Sequence, residues 1–247
     1  GRPPEYNTAD AALLFIEAVG RTWIASGDED ASTANTFLRS LLPTIDEILD
    51  AHRAGTRHGI RIDPADGLLD QGEAGLQLTW MDARIDGAVV TPRAGKAIEL
   101  SALLHSAWRW RARFAAAFGE DGTTFTTAAH QVRDSFDRFW MPDHGYLADV
   151  IDGPHGLDGS LRPNQLFATG CVHPPVTGDR AASVLETCDR VLRISTGLRT
   201  LDPADARYQG RYEGDQATRD AAYHMGTSWP WLLGPFARTH LRVHRDP

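Results

Sequence analysis

What most constrains the fold of this chain is the recurrence of apolar residues at three- and four-residue spacing, which gathers them on one face of a helix. Ala11, Leu14, Phe15, Ala18, Val19 and Trp23 form one such face, with Thr8 or Asp10 placed to signal its start. Leu38, Leu41, Leu42, Ile45, Ile48 and Leu49 form a second, and Pro43 inside it predicts a kink or a helix that starts there. Leu100, Leu103, Leu104, Ala107 and Trp108 open a third, continued by Phe114 and Phe118. Phe125, Ala129, Val132, Phe136 and Trp140 give a fourth, and Ala181, Val184, Leu185, Cys188, Val191 and Leu192 a fifth. A sixth runs from about Ser228 towards His244 with a proline in its first turn. No repeat of about 20 to 50 residues is present, which argues against a simple solenoid.

The connections are as informative as the helices. Residues 55–90, 141–163 and 197–226 are rich in glycine and aromatic residues. They exceed the usual connection of about 4–6 residues, and long loops in a compact domain carry function more often than not. "HGIRIDPADGLLDQGE" reads as a small hairpin rather than a strand of a large sheet. The pattern predicts an all-α toroid or bundle, with small β-hairpins in its loops and a site at one end.

A formal charge of −8 over 247 residues argues against a nucleic-acid partner, because such proteins concentrate Lys and Arg. A neutral polymer such as a glucan fits that balance. No run of about 18 apolar residues predicts a membrane span, and no basic segment followed by an apolar one reads as a secretory signal. Cys171 and Cys188 form neither a disulfide framework nor a zinc spacing, so a reduced, cytoplasmic setting is expected. His52, His105 and His130 lack metal-ligand spacing. Phosphate-loop, GxSxG and HExxH signatures are missing, and no cofactor is expected.

Three stretches carry candidate chemistry. In "LQLTWMDARIDGAVVTPRAGKAIEL", Asp82 follows Trp80 and Met81. An acid beside apolar groups loses solvation and its pKa rises towards the range of a general acid, although locally a turn cap is the commoner role. Arg93, Lys96 and Glu99 lie close by in sequence, a density of polar groups that suits a site. "AYHMGTSWPWLLGPF" holds Tyr223, His224, Trp229 and Trp231. Flat rings pack on the C–H faces of sugars, but each tryptophan taken alone is more often core. "LRPNQLFATG" sets Arg162, Asn164 and Gln165 before an apolar helical start, where the two amide side chains bind hydroxyls or cap the turn, the cap being the commoner role.

Taken together, "PEYNTADAALLFIEAV", "DGLLDQGEAGLQLTWMDA", "VVTPRAGKAIEL", "LRPNQLFA", "GLRTL" and "RYEGDQATRDAAYHMGTSWPWLLGPF" resemble, in order and over nearly the whole chain, the amylo-α-1,6-glucosidase domain of glycogen debranching enzymes. The resemblance implies an (α/α)6 toroid glycosidase with the substrate at the loop end of the barrel. It implies removal of α-1,6-linked glucose at the branch stubs of a branched α-glucan (glycogen or a limit dextrin), with inversion at the anomeric carbon. Asp82 is then the general acid. Trp80, Arg93, Glu99, Asn164, Gln165, His224, Trp229 and Trp231 line the glucose subsite, with Tyr6 and Asp10 as weaker candidates of the same kind.

The chain departs from the family pattern in some places. Met225 stands where a Gln is usual and Ser228 where a Val or similar residue is usual. Inversion needs a second carboxylate about 6.5–9.5 Å from the first, and the family carries it C-terminal to the "WPW" helix. Residues 1–247 are therefore expected to be a single domain truncated at both ends. Glu213, Asp215 and Asp220 precede "AYHMG", where ion pairing with Arg211 or Arg219 is the commoner role. Two other readings stay open: a different (α/α)6 exo-glycosidase of glucoamylase-like or trehalase-like activity, or a non-catalytic glucan-binding remnant.

Overall fold

The computed structural model describes residues 8–27, 30–73 and 75–245. Helices α1 (Ala11–Gly27) and α2 (Ala31–Ala54) form a first pair. Strands β1 (Arg61–Ile62), β2 (Leu69–Gln71), β3 (Arg84–Ile85), β4 (Ala88–Val89) and β5 (Gly95–Ala97) follow, and α3 (Ile98–Ala117) and α4 (Thr123–Ser135) form a second pair. Next come β6 (Trp140–Met141), β7 (Tyr146–Leu147), β8 (Val150–Gly153), β9 (Gly156–Asp158), α5 (Gln165–Gly170) and α6 (Gly178–Val191). The described chain closes with β10 (Arg193–Ile194), β11 (Gly197–Arg199), α7 (Gln216–Ala222), β12 (Ser228–Trp229) and α8 (Leu233–Arg245). α3 packs on α1, α4 and α5, and α8 packs on α5 and α6. The central place of α3 matches its sequence: it is buried from Ile98 to Trp108, with apolar residues on several faces and only Glu99, Ser101, His105 and Ser106 polar among them.

Local chemistry sets the helix starts. Thr8 Oγ1 accepts the Ala11 amide at 3.2 Å, and Asp30 caps α2 by accepting the Ser32 and Thr33 amides at 2.9 and 3.2 Å. α2 therefore begins well before Pro43 and runs through it, rather than starting there.

The face predicted for the first helix is right in part: Val19 is buried and Phe15 and Trp23 pack against the core, but Ala11, Leu14 and Ala18 are exposed. Leu14 is 40 % exposed, whereas Leu13, Ile16, Glu17 and Gly20 face inward. Glu17 can be buried because its carboxylate accepts bonds from Ser106, Trp110, Arg21 and the Val172 amide at 2.7–3.0 Å. Against the cost of burial, Ser106, Val172, Arg21 and Trp110 hold that carboxyl below its ordinary value. Gly20 has no Cβ because the Trp110 ring would lie 2.3 Å from one.

The small hairpins belong to more than the loops. β1–β2–β5–β8–β9 form one antiparallel sheet, so the "HGIRIDPADGLLDQGE" hairpin is the edge of a five-stranded sheet. Asp70 faces Lys96 across β2–β5, and Lys96 faces Ile151 across β5–β8. Lys96 Nζ donates to Asp63, Asp66 and Asp152 at 2.7–2.9 Å, which pins the β1–β2 turn to β8. The sixth predicted helix starts later than expected. Ser228–Trp229 pair with β11, and α8 begins at Leu233.

Burial depresses several histidines. His52 is pushed below its ordinary value by burial, and burial and nearby arginines push His105 and His173 down to about 4. An unfolded histidine protonates near pH 6.5 (about the ordinary value), so below that pH the unfolded chain binds more protons than the folded one. Stability is therefore expected to fall as pH drops from 6.5 towards 4, by at most about 1.4 kcal/mol per pH unit per histidine. Urea unfolding between pH 7 and 4.5 checks this, with His105→Gln flattening the slope. Equal slopes in the two proteins contradict it.

Candidate active site

The loop from Leu76 to Asp82 links β2 to β3, and its anchoring explains the position of each side chain. The Ala9 amide donates to the Leu78 carbonyl at 2.6 Å, tying the start of α1 to this loop. Met81 is fully buried, and Thr79 is buried with its hydroxyl accepting Arg93 Nη1 at 3.1 Å. Between these two anchors Trp80 is half-buried, and Asp82 follows with its side chain reaching solvent.

Trp80 is held edge-on to two rings. Its centroid lies 5.2 Å from His224 and 4.9 Å from Trp231, at interplanar angles of 80° and 87°. The two tryptophans of "WPW" are used differently. Trp229 donates Nε1 to the Tyr223 carbonyl at 3.0 Å and packs on that ring, whereas Trp231 is 45 % exposed and offers a free face. His224 is buried, its backbone carbonyl accepts Arg162 Nη1 at 2.8 Å, and its Nδ1 has no protein partner. Burial, with Arg162 and Arg93 nearby, pushes its imidazole down to about 3, so the ring is neutral at any ordinary pH.

Asp82 shows the shift expected of an acid. Partial burial and the like charge of Asp10 raise its carboxyl above the ordinary value, against a lowering bond from its own backbone. The exposed edge of the side chain limits that rise. Asp10 is buried at the foot of α1, with its Oδ1 accepting the Thr8 hydroxyl at 2.5 Å.

Beneath the rings lies a buried charged network. Arg93 donates to both oxygens of Glu99, at 2.6 Å to Oε2, and to Asp149 at 2.7 and 3.0 Å. Arg162 Nε stands 3.6 Å from Asp149 Oδ2, so two guanidinium groups balance two carboxylates. Asn164 Nδ2 donates to Asp149 at 2.7 Å, and Asn164 Oδ1 accepts Trp80 Nε1 at 2.9 Å. A continuous chain thus runs from Glu99 through Arg93, Asp149 and Asn164 to the Trp80 ring. Against the cost of burial, Asp149 and Glu99 raise the Arg93 guanidinium, which stays charged. Burial pushes the Glu99 carboxyl up, with Arg93 opposing and Asp149 adding to it.

Several sequence-predicted residues therefore sit behind the aromatic cluster. Arg93, Glu99, Asn164 and Gln165 are buried, and Gln165 bonds the Leu147 amide and the Arg162 carbonyl. Neither amide side chain caps α5, contrary to the capping role that looked commoner. Met225 lies among them, with Arg162 Nη2 at 3.4 Å and the Thr91 hydroxyl at 3.6 Å from its sulfur. A thioether is a weak acceptor there. Glu213 pairs with Arg211 at 3.4 Å, and Asp215 caps α7 by accepting the Thr218 amide at 2.9 Å. α7 packs against β3, just beyond Asp82. Tyr6 lies outside the described residues. Asp149 and Thr79 are site-building residues that the sequence motifs did not single out, and Arg162, noted in "LRPNQLFATG" but given no place in the subsite, joins them.

Over residues 1–247 the sequence matches the amylo-alpha-1,6-glucosidase family. The chain belongs to that family. A glycogen debranching enzyme of Saccharomyces cerevisiae is 27 % identical over 99 % of this chain, and the chain spans only 21 % of that relative's length. Among solved structures, a GH63 mannosylglycerate hydrolase from Thermus thermophilus bound to Tris and D-glycerate superposes with a TM-score of 0.69 at 13 % identity. That match covers 97 % of this chain and 66 % of the other. The same hydrolase with glucose gives a TM-score of 0.68 at 14 % identity, covering 97 % and 67 %. The fold of this family member is that of an (α/α)6 toroid glycosidase, and the family is one of glycoside hydrolases. Among the described residues, no helix is long and apolar enough to cross a membrane.

Proposed function

We propose that this protein hydrolyses α-1,6-linked glucose at the branch stubs of a glycogen-like α-glucan, in the cytoplasm, with inversion. The observation that carries the reading is Asp82. It is a carboxyl raised above its ordinary value, reaching solvent two residues after Trp80, whose ring packs edge-on against His224 and Trp231. In this reading Asp82 protonates the glycosidic oxygen as the bond to the anomeric carbon breaks. Trp80 and Trp231 present ring surface to the C–H face of the glucose, and His224 packs against Trp80 as a neutral ring. Arg93, Glu99, Asn164 and Gln165 act one layer back, holding Trp80 and the loop of Asp82 in place. Asp10 keeps the Asp82 proton on by like-charge repulsion and borders the same subsite.

Inversion requires a second carboxylate across the sugar to activate water. Glu213 and Asp215 are committed to an ion pair and a helix cap, so neither is given that role. The family match and the yeast relative support the linkage, and a panel of linkages tests it. Glucose release by the full-length polypeptide is expected from a phosphorylase-limit dextrin and from isomaltose-type links, in preference to maltose-type links and trehalose. A preference for either of the latter points to another exo-glycosidase of the same fold.

A further inference from the structure

We propose that a hollow bounded by the β8–β9 hairpin, Glu73, Gly75 and Leu76 binds the part of the glucan that carries the branch, the leaving-group side of the scissile bond. The proposal rests on the debranching reading above. The hollow has a volume of about 590 Å³. Ligand pockets run to about 300–1,000 Å³ and are mostly apolar with a few polar groups, and this one fits that description. Leu76, Pro92, Ala94 and Leu157 supply apolar wall, and Asp158 and Arg207 supply a carboxylate and a guanidinium at its edge. Sugar rings need that combination, with apolar surface for their C–H faces and charged groups for their hydroxyls.

Its walls are linked to the Asp82 loop along the chain and through Arg93. Pro92 and Ala94 flank Arg93, whose guanidinium anchors the Asp82 loop through Thr79. On the other wall, the Gly75 carbonyl accepts Arg84 Nη2 at 3.1 Å, and Arg84 lies two residues beyond Asp82. One segment of chain, residues 75–94, thus carries both the acid and a wall of the hollow. The floor is backbone. A Cβ on Gly95 would meet Gly153 Cα and the Ile151 carbonyl oxygen at 2.8 Å, and one on Gly153 would meet the Ala94 carbonyl oxygen at 2.9 Å. Those two glycines let β5 and the β8–β9 turn close together beneath the opening. Leu157 is 53 % exposed at its rim, an apolar side chain held in solvent by a tight hairpin. Asp158 and Arg207 also border a second, polar hollow of about 410 Å³. Asp158 and Arg207 therefore border both hollows, Asp158 accepting the Ser160 amide and Arg207 pairing with Asp205.

The test compares two substrates in the full-length polypeptide. A limit dextrin has a glucan on the leaving side, whereas α-glucosyl fluoride has only fluoride there. Leu157→Ser and His155→Ala alter exposed hairpin residues, so thermal unfolding is expected to be unchanged. Together they are expected to raise KM for the dextrin about tenfold, the effect of losing one buried leucine contact, and to leave α-glucosyl fluoride hydrolysis as it was. An unchanged KM for the dextrin overturns the assignment. So does an equal loss on both substrates, which would put the effect in the glucose subsite or the fold. An unmodified protein inert on both substrates overturns the debranching reading itself, and this assignment with it.

Discussion

Asp82→Asn in the full-length polypeptide is expected to cut glucose release from a branch-stub dextrin by about 10²–10⁴-fold, the usual contribution of a positioned general acid. Hydrolysis of α-glucosyl fluoride is expected to survive largely intact. The contrast comes from the leaving group. A glycosidic oxygen departs as an alkoxide unless it receives a proton, and the asparagine amide cannot supply one. Fluoride departs without protonation, so loss of the acid costs it little. A variant that merely distorted the pocket would lose both substrates together, because both place glucose against Trp80 and Trp231. Parallel loss would therefore count against Asp82 as the acid, and no loss on the dextrin would remove it from the mechanism. The alkaline limb of the dextrin activity also follows. The raised Asp82 carboxyl loses its proton as pH rises through its own pKa, so dextrin hydrolysis should fall on the alkaline side earlier than fluoride hydrolysis does.

Much of this architecture was legible from spacing alone, since a buried helix leaves its period in the sequence. The third helix is the clearest case, with apolar residues from Ile98 onward on more than one face. The first helix lies where its period predicts, with Phe15, Val19 and Trp23 inward but Leu14 outward. Hydrophobicity ranks Leu14 above Glu17, and only tertiary partners, Ser106 and Trp110 some ninety residues away, make a buried glutamate favourable. The five-stranded sheet was hidden for a related reason, because its strands are two to four residues long and pair across the chain.

The candidate site divides along the same line. Trp80, Met81 and Asp82 are adjacent in sequence, so local chemistry and motif singled them out together. Asp149 has no local signature. Its partners Arg93 and Asn164 lie 56 and 15 residues away, and "YLADVIDG" looks like any connection. Asn164 was read as a cap because caps are local, whereas its partner Trp80 is 84 residues distant. Neighbours in sequence such as Trp80 and Asp82 can be read from motifs, whereas a partner such as Asp149 is visible only once the chain has closed.

The buried network gives the largest stability effect. Arg93→Met is expected to destabilise the fold by about 3–5 kcal/mol at pH 7, because it leaves Glu99 and Asp149 buried without their main counter-ion. Arg162 cannot replace it, since it stands 3.6 Å from Asp149 and already donates to the Thr200 and His224 carbonyls. The sign of the pH dependence follows from the carboxylates. In the variant, burial with no Arg93 opposing pushes the Glu99 carboxyl further up, so the folded state binds a proton that the unfolded state does not. Its deficit relative to the unmodified protein should therefore shrink as pH falls from 7 to 5, although both proteins lose stability to their buried histidines over that range. Adding Glu99→Gln to Arg93→Met removes one of the two orphaned charges and leaves Asp149 against Arg162. The double variant should thus be more stable than the single one at pH 7, and its deficit should vary less with pH. Urea unfolding of the three proteins at both pH values decides the matter. If the single and double variants unfold at the same midpoint, charge balance is not what holds this loop. In that event the chain from Glu99 to Trp80 would be a packing arrangement, and its influence on the acid would have to run through shape alone.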